Sequence, residues 1–471
     1  MSNSTPASSS YGSLHSTHEN ASVDASQRSN EDETTPLVIA KIVNDGDDVP
    51  TSEMVPGPIG SATIVSETIN ISKNLIGSGV LSLSGGIALY SDNPNAMWSA
   101  SFWIVILGAV FGYFCIVIAK VCQMTGSTTY RGCWEATFGR KGARFVAIVQ
   151  MLLAAQGDVA YATVLSQTFR SLLESVGIYW GRVTCLLVIT VFPILPLCLM
   201  KDLNNLAPYS AVGVAGIGVT VAAMIVRLID GSYQEGGKYF EDTAVKHRPN
   251  FGDDNRSMSV LILPFVCMVF QSWVMHYNSP RFFMELKDAT IPRFTKAVSY
   301  SFSLCAAFYI VIAAAGYWTF GSGSASYILN NYSPNDPLAT ISRLCVAFST
   351  LLTHPLAFFG ARDGSLDILG VSEQWKTPTN MNIFTVILLS ILTAIAVIFH
   401  DLGLINAVGG GCLATLLCFV FPAVMFHQAV AQSPYKTKNQ EYEVALALVL
   451  MVIGIFLGAV GVYESLLQAS D

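Results

Sequence analysis

Polar and small residues interrupt a long apolar stretch near the start of the hydrophobic part of the chain. Lys73 precedes the segment Gly77-Ser78-Gly79, and small residues recur as far as Gly86. Such a run favours a break in a membrane helix, which is tolerated only where protein or a watery cavity covers the exposed backbone. Free amides at Gly77, Ser78 and Gly79 would bind a carboxylate, helped by the dipole of the following half-helix. The alternative interpretation is close packing of helices through small residues.

A second interruption falls in the sixth apolar stretch. There, Ser272, His276, Asn278 and Pro280 replace a clean apolar run. Interrupted helices in corresponding positions of two halves indicate an inverted-repeat transporter with its substrate site at the repeat interface. We therefore expect Ser272 and Asn278 to contact substrate. His276 either carries a proton, because imidazole titrates near neutral pH, or packs as a hydrogen-bonded core histidine.

Two ionisable side chains lie deep within apolar stretches. Lys73 lies about ten residues into the first and Asp158 about thirteen into the third, or roughly 15 and 20 Å of helical rise. A charge at mid-span costs at least about 2.5–3.5 kcal/mol, so it calls for a partner or a role. We predict that Lys73 and Asp158 pair, or share a proton, in one state of a transport cycle. A static structural pair is the alternative. His354, beside Pro355, is interpreted as structural.

Long apolar stretches must position these residues. The chain has 471 residues, of which 52% are hydrophobic and 12% charged, and its mean hydropathy is +0.50. Soluble domains are nearer 25% charged, and a membrane-spanning helix needs about 20 apolar residues. The sequence therefore predicts an all-α membrane protein with eleven transmembrane helices. The predicted spans are 61–90, 99–122, 145–172, 181–200, 206–229, 257–281, 296–320, 337–360, 381–400, 402–426 and 442–468.

Residues 1–58 differ from this membrane domain, which covers 59–468. They contain nine acidic and two basic side chains and lack a long apolar run, so we expect a disordered acidic tail. Within it, Tyr11–Leu14 resembles a tyrosine-based sorting signal and Glu33–Val38 an acidic dileucine signal, so sorting adaptors are expected partners. The remaining charges balance, which argues against a nucleic-acid partner.

Basic residues predict the orientation in the bilayer. With a cytoplasmic amino terminus, fourteen Lys and Arg residues fall on the inside and seven on the outside, as the positive-inside bias requires. The sequons at Asn255 and Asn331 then both lie outside. A basic stretch is interpreted as a topology and lipid-contact element; it comprises Arg131, Arg140, Lys141 and Arg144. The ten cysteines show no metal-ligand spacing, and neither a metal nor a cofactor is expected.

Several segments together resemble the amino acid/auxin permease family. The segment Asn74–Ser84 is similar to the first-span signature of that family, and the sixth-span ending His276-Tyr277-Asn278, followed by Met284–Asp288, is similar too. Further matches are Gly316–Gly321 and the stretch from Arg343 through Pro355 to Arg362. The resemblance covers 60–468 and keeps the order and spacing of the motifs.

The resemblance implies a fold and an activity. The first ten helices would form the five-plus-five inverted repeat of the amino acid–polyamine–organocation superfamily, with one helix added. The activity would be secondary active transport of amino acids, coupled to protons or sodium. The family favours neutral amino acids as substrates. Ser84 departs from the common proline. Lys73 stands where the sodium-coupled branch tends to have asparagine, which favours protons because a fixed ammonium repels sodium.

Further site residues follow from the same resemblance. Ser349 and Thr353 share a helical face through their i, i+4 spacing, and similar hydroxyls complete the ion site of the sodium-coupled branch. Here they either receive the Lys73 ammonium in place of sodium or bond back to their own helix. Tyr161 matches a family tyrosine and either closes over the substrate or packs as an ordinary aromatic residue.

Two other functions remain open from the sequence. One is a sodium-coupled amino-acid symporter, and the other is an amino-acid-sensing receptor with little net flux whose acidic tail signals. No nucleotide-binding motif or catalytic triad is present in the sequence, so an enzyme or a pump driven by ATP is not expected. The two sorting-like motifs favour an endolysosomal or vacuolar membrane over the plasma membrane.

Overall fold

The computed structural model describes residues 60–200, 210–434 and 436–470. Within these ranges all regular secondary structure is helical, apart from three isolated β-bridges between loops or helix ends. The expected all-α architecture is therefore confirmed for the described part of the chain. The acidic tail and both sorting-like motifs lie outside the described residues, as does the side chain of Lys141.

The described residues form sixteen α-helices, which we number in chain order. They are α1 (Ile64–Leu75), α2 (Leu83–Ala88), α3 (Ala96–Thr125), α4 (Tyr130–Phe138), α5 (Arg140–Glu174), α6 (Arg182–Ile189), α7 (Leu195–Leu199), α8 (Ser210–Asp230), α9 (Leu263–Ser272), α10 (Ser279–Glu285), α11 (Ile291–Phe320), α12 (Pro337–Leu369), α13 (Pro378–Ile398), α14 (Leu402–Gly409), α15 (Phe421–Gln432) and α16 (Lys438–Ser470).

Short π-helical and 3₁₀ segments join some of these helices. A π-helical turn at Thr190–Ile194 connects α6 to α7, and two more, at Gly410–Ala414 and Leu416–Val420, connect α14 to α15. A 3₁₀ segment, Ser78–Ser82, leads into α2, and another, His276–Asn278, leads into α10.

Nine helical segments of the described chain are long and apolar enough to cross a membrane. They are Ala96–Thr125, Gly142–Glu174, Arg182–Leu199, Val260–Glu285, Ile291–Phe320, Pro337–Leu369, Pro378–Ile398, Leu402–Gln432 and Lys438–Ser470. Two predicted spans are not among them. The first is broken into α1 and α2, and the fifth corresponds to α8, which has 21 residues. The count of eleven therefore stays a prediction.

Side-chain caps and glycines fix where the helices begin and end. The carboxylate of Asp336 accepts a hydrogen bond from the Leu338 amide at the start of α12, and Asp401 does the same for Leu404 at the start of α14. Helix α12 ends at Leu369, and the following Gly370 has a φ of 65°, which suits a residue without a side chain. Two aspartates thus fix the starts of α12 and α14, and a glycine follows the end of α12.

Tight approach of helices builds the core around the broken spans. Helix α5 packs against α12, α3 packs against α11, and α9 packs against α14 and α16. At Gly410, just after α14, an added Cβ would lie 1.9 Å from the carbonyl oxygen of Cys267 in α9. Only glycine allows this contact, which is how small residues bring membrane helices together.

Candidate functional site

The first predicted span is broken where its glycines and serines lie. Helix α1 ends at Leu75, Ile76 and Gly77 adopt extended conformations, and the 3₁₀ segment Ser78–Ser82 follows before α2. The amide of Gly77 has no hydrogen-bond partner within the described ranges. A free donor is thereby left at mid-span, as the sequence predicts.

The glycines of this segment serve two different purposes. A Cβ added at Gly77 would meet nothing within 4 Å, and one at Gly79 would meet only the Asn406 amide at 3.8 Å. A Cβ at Gly85 would instead lie 2.4 Å from the carbonyl oxygen of Ala325. Close packing therefore explains Gly85 but not Gly77 or Gly79, which face open space.

The sixth predicted span is interrupted as well. Helix α9 ends at Ser272, the chain leaves helical geometry between Trp273 and Met275, and the 3₁₀ segment His276–Asn278 leads into α10. Both interruptions predicted from sequence are therefore present. Each leaves terminal backbone groups without the partners that a continuous helix would supply.

The two breaks face one cavity of about 470 Å³. It extends from the breaks along α5 and the second half of α12 towards α4. Its described lining residues are Asn74, Leu75, Gly77, Gly79, Val80, Arg131, Ala147, Gln150, Met151, Leu153, Ala154, Gln156, Gly157, Ala160, Tyr161, Gln271, Ser272, Val274, Tyr277, Leu356, Ala357, Gly360, Gly364, Asp367 and Asn406.

Four predicted substrate residues lie on this wall, namely Gly77, Gly79, Tyr161 and Ser272. The side chain of Ser78 is outside what the structure describes. Asn278 is not part of the described wall and lies at the start of α10 instead.

Carboxamides support the inner end of the cavity, and the sequence analysis missed this role. Gln271 donates to Gln156 at 3.0 Å, and Gln156 donates to the carbonyl oxygen of Ile405 at 3.4 Å. Asn406 donates to the Ser82 hydroxyl at 3.0 Å. These bonds tie the broken helices to α5 and α14. The sequence feature that could have indicated this role is Gln156, a glutamine at mid-span two residues before Asp158.

One ion pair lies at the far end of the cavity. Arg131 of α4 contacts Asp367 of α12, and its Nε also lies 3.0 Å from Glu135. Arg131 and Asp367 are the two charged residues of the described wall, and their charges compensate each other. Arg131, interpreted from the sequence as part of a topology and lipid-contact element, therefore also lines the cavity. We call Arg131, Asp367, Met151 and Gly364 the mouth.

Asp158 has a different neighbour from the one that its depth predicted. The carboxylate oxygen Oδ1 lies 3.1 Å from Nδ1 of His354, with both side chains buried between α5 and α12. Lys73 makes no ion pair within the described ranges and is partly exposed. The pairing of Lys73 with Asp158 was predicted for one state of a cycle, so it stays a prediction. His354, interpreted as structural, faces the buried acid.

The other predicted coupling residues lie away from the described cavity wall. His276 is fully buried, and its Nε2 lies 3.0 Å from the carbonyl oxygen of Phe111, to which it donates. The Thr353 hydroxyl donates back to the carbonyl oxygen of Ser349 at 2.9 Å. Both contacts match the alternative interpretations given above, namely packing for His276 and back-bonding for Thr353.

Two broken helices that face one cavity inside a multi-pass helical bundle define a class of protein. Discontinuous spans with exposed backbone near the membrane midplane are the binding architecture of secondary transporters. Fold and site together therefore place the chain among membrane transporters.

Comparison with known proteins identifies the family. The family model described as "Transmembrane amino acid transporter protein" matches residues 60–467. The chain therefore belongs to this amino acid transporter family and is a multi-pass membrane protein. The resemblance to the amino acid/auxin permease family is confirmed.

Named relatives agree with this assignment. A Danio rerio protein with the provisional name sodium-coupled neutral amino acid transporter 11 is 25% identical over 88% of this chain and 89% of its own length. Vacuolar amino acid transporter 2 of Saccharomyces cerevisiae is 20% identical over 75% of this chain and 74% of its own. The crystal structure of MhsT in complex with L-phenylalanine has a TM-score of 0.55 and 13% identity, covering 86% of this chain and all of MhsT. It shares the fold.

Proposed function

We propose that the chain is a proton-coupled secondary transporter of neutral amino acids that works by alternating access. It would have eleven spans, ten of them in the five-plus-five inverted repeat, and the broken first and sixth spans would hold the substrate. The observation that carries the proposal is the cavity of about 470 Å³ between the two breaks, lined by Gly77, Gly79 and Ser272.

The charge of the wall supports a neutral substrate. The charged residues of the described wall, Arg131 and Asp367, pair with each other at the mouth. The inner end carries amides and backbone groups instead. A zwitterion with an uncharged side chain would place its carboxylate at the amides of Gly77 to Gly79, including Ser78, and leave no side-chain charge unpaired. Tyr161 would close over it, while Asn278 would act from the start of α10.

Asp158 and His354 support proton coupling. Nδ1 of His354 and Oδ1 of Asp158 lie 3.1 Å apart in a buried site but are not aligned for a hydrogen bond in this state. A change in the orientation of either side chain would let the two groups share one proton, so that the pair changes charge when the proton leaves. Lys73, Ser349, Thr353 and His276 remain proposed participants: Lys73 would approach Asp158 in another state. The provisional name of the Danio rerio relative favours a second candidate, a sodium-coupled symporter.

Orientation and location belong to the same proposal. The amino terminus would be cytoplasmic, so the mouth would open to the cytoplasm in this state. The name of the yeast relative supports a vacuolar or endolysosomal membrane. The two sorting-like motifs of the tail would then be read by adaptors.

Uptake of radiolabelled neutral amino acids into proteoliposomes, with proton and sodium gradients imposed separately, tests this proposal. We expect uptake with the proton gradient alone. Asp158→Asn should lower this proton-driven uptake at least tenfold and retain the exchange of amino acids across the membrane without a gradient. Asp363→Asn is the matched control, because Asp363 is an exposed aspartate of α12 outside the described wall.

Other outcomes discriminate between the alternatives. Uptake that requires sodium would overturn proton coupling and leave the family assignment intact. Plain additivity of Lys73→Ala and Asp158→Asn in a double-mutant cycle would remove the Lys73–Asp158 pairing. Binding of amino acids without uptake under either gradient would favour the receptor function.

A further inference from the structure

One buried hydroxyl connects the ends of the two broken helices. Tyr309 of α11 is fully buried, and its Oη lies 2.8 Å from the carbonyl oxygen of Leu75 and 2.8 Å from that of Ser272. Leu75 is the last residue of α1 and Ser272 the last of α9. Carbonyls at helix ends lack intrahelical donors, so both need an external one.

The contact has one donor hydrogen for two acceptor carbonyl oxygens. A phenol has a single hydrogen, and a carbonyl oxygen has none. Both distances suit an O–H···O bond, yet the Tyr309 hydroxyl has one hydrogen for two carbonyl oxygens. That hydrogen is either donated to one of them or shared between both as a weaker three-centre bond. At most one of the two carbonyls therefore receives a full hydrogen bond from Tyr309.

Tyr309 lies behind the cavity wall. Leu75 and Ser272 line the cavity, whereas Tyr309 is not part of the described wall and packs its ring 4.7 Å from that of Trp273. Its hydroxyl therefore acts on the position of wall residues and does not touch the contents of the cavity.

We infer that Tyr309 is a positioning residue that couples the two helix breaks. The carbonyls of Leu75 and Ser272 share or exchange its single hydrogen, which links the ends of α1 and α9 in this state. Movement of either helix during transport releases one carbonyl while the bond to the other is kept. This inference rests on the proposed function, in which the two breaks form a substrate site that moves.

The same helix provides a matched control. Tyr317 lies eight residues, or about two turns, further along α11, and its hydroxyl lies 2.9 Å from the carbonyl oxygen of Ser91 and 3.1 Å from that of Asn93. The chemistry is the same, one donor and two carbonyls. Both carbonyls belong to the single loop after α2, so this contact joins no pair of moving helices.

A series with zero, one and two donor hydrogens tests the inference. Tyr309→Phe removes the donor, and replacement of Tyr309 by 4-aminophenylalanine provides two N–H groups that can satisfy both carbonyls at once. The readouts are turnover and KM in proteoliposomes, melting temperature, and the labelling rate of Met151→Cys at the mouth with a polar thiol reagent. The labelling rate is compared with that of the same chain without the Met151 substitution.

We expect Tyr309→Phe to lower turnover at least tenfold and to change the labelling rate of Met151→Cys at least threefold. The two-donor variant should also lower turnover, but with a higher melting temperature, because it fixes the state seen here. Tyr317→Phe should keep turnover and labelling within twofold of the parent chain. A merely structural role for Tyr309 would lower the melting temperature without changing labelling.

Two results would overturn the inference. One is a Tyr309→Phe variant that matches Tyr317→Phe in both turnover and labelling. The other is a two-donor variant that behaves as the parent chain does, which would also decide the matter if Tyr309→Phe fails to fold. Labelling and melting do not require a gradient. Absence of transport in the parent chain would therefore count against the proposed function alone.

Discussion

Helix α12 has an aspartate near each end, and the surroundings of the two differ. Asp336, at its start, is fully buried and receives two hydrogen bonds from Arg227, at 2.6 and 2.9 Å, and one from Tyr233 at 2.9 Å. Asp367, in the last turn, is half exposed and pairs with Arg131 at the mouth. About 46 Å of helix separates them at 1.5 Å per residue.

The end around Asp336 is built from many short polar contacts. We call residues 231–259 and 321–336 the cap. Arg343 of α12 donates to three carbonyl oxygens of the cap, those of Leu329, Tyr332 and Ser333, at 2.6 to 3.2 Å. Asn331 accepts from the Ala325 amide and donates to two more carbonyls. Buried polar groups that are satisfied in this way specify one arrangement.

Fewer and weaker polar contacts hold the mouth together. Its charged contact is the exposed pair of Arg131 and Asp367, and exposed ion pairs contribute about 0–1 kcal/mol each. The two ends of α12 therefore differ in strength: many buried contacts fix the cap at one end, and one exposed ion pair holds the mouth at the other. In the proposed alternating-access cycle, a contact at the end where the cavity opens must break repeatedly, and a weak ion pair suits that position.

The largest expected effect comes from removing the buried aspartate. Asp336→Ala leaves the Arg227 guanidinium without its main partner, and breaking a buried pair in this way costs about 3–5 kcal/mol. Asp367→Ala should lower the free energy of unfolding by less than about 1 kcal/mol. Chemical unfolding of the purified protein in detergent measures both. Equal losses in the two variants would contradict the proposed difference between the ends of α12.

Much of this fold could be predicted from the sequence, for identifiable reasons. Both helix breaks are visible as local composition, since Gly77 and Gly79 and the run Ser272 to Pro280 are unlike the apolar residues around them. Hydropathy marks helices reliably because a backbone in lipid must satisfy its own hydrogen bonds. Neither argument needs knowledge of which helices are neighbours.

Partnerships between helices were beyond this kind of argument. Depth in the membrane suggested Lys73 as the partner of Asp158, but depth contains no information about rotation around the helix axis. His354 faces the acid from α12 at 3.1 Å. Tyr309 was missed because a tyrosine in an apolar helix is ordinary, and only the fold brings Leu75 and Ser272 to its hydroxyl.

One sequence motif also has a different meaning in the fold. The sequence predicts the sequon at Asn331 in an outside loop, but its side chain is 1% exposed and both amide hydrogens are used within the cap. Asn331 is therefore a packing residue and does not support the orientation. Asn255 is exposed, as a glycan acceptor must be, and its position on the outside stays a prediction.

A smaller effect is expected from the mouth itself. Arg131→Gln and Asp367→Asn each remove one charge of the pair. Asp367→Asn keeps the side-chain size, whereas Arg131→Gln shortens the side chain but keeps it polar. In proteoliposome uptake we expect each to change the transport rate about two- to fivefold, which corresponds to the contribution of an exposed pair. The double variant should differ from the sum of the single effects, because the two residues share one contact.

The exposed pair Glu373–Lys376, which follows α12 and does not line the described cavity, is the matched control for the mouth. Glu373→Gln and Lys376→Gln should leave the transport rate unchanged. Additive effects of Arg131→Gln and Asp367→Asn would mean that the ion pair does not control the entrance. The difference between the cap and the mouth would then affect stability and not transport.

The smallest expected effect tests whether the cap responds to acid. Burial, and then the positive charge of Lys246, lower the pKa of His247 in the cap below its ordinary value near 6.5. The unfolded chain therefore binds a proton below about pH 6.5 that the folded chain binds only at lower pH. The contribution of His247 to stability is fully present above that pH and is lost as the pH falls through it.

Melting temperatures of the parent chain and His247→Gln between pH 7.5 and 5 measure this loss. The parent chain should lose more stability on acidification than the variant. The variant keeps the backbone carbonyl of residue 247 that accepts from Asn331. His400→Gln, at an exposed histidine outside the cap, controls for general effects of losing an imidazole. If His247→Gln and the parent chain fall in parallel, then the cap gains nothing from a neutral histidine. Its stability would then rest on the contacts of Asp336 and Arg343.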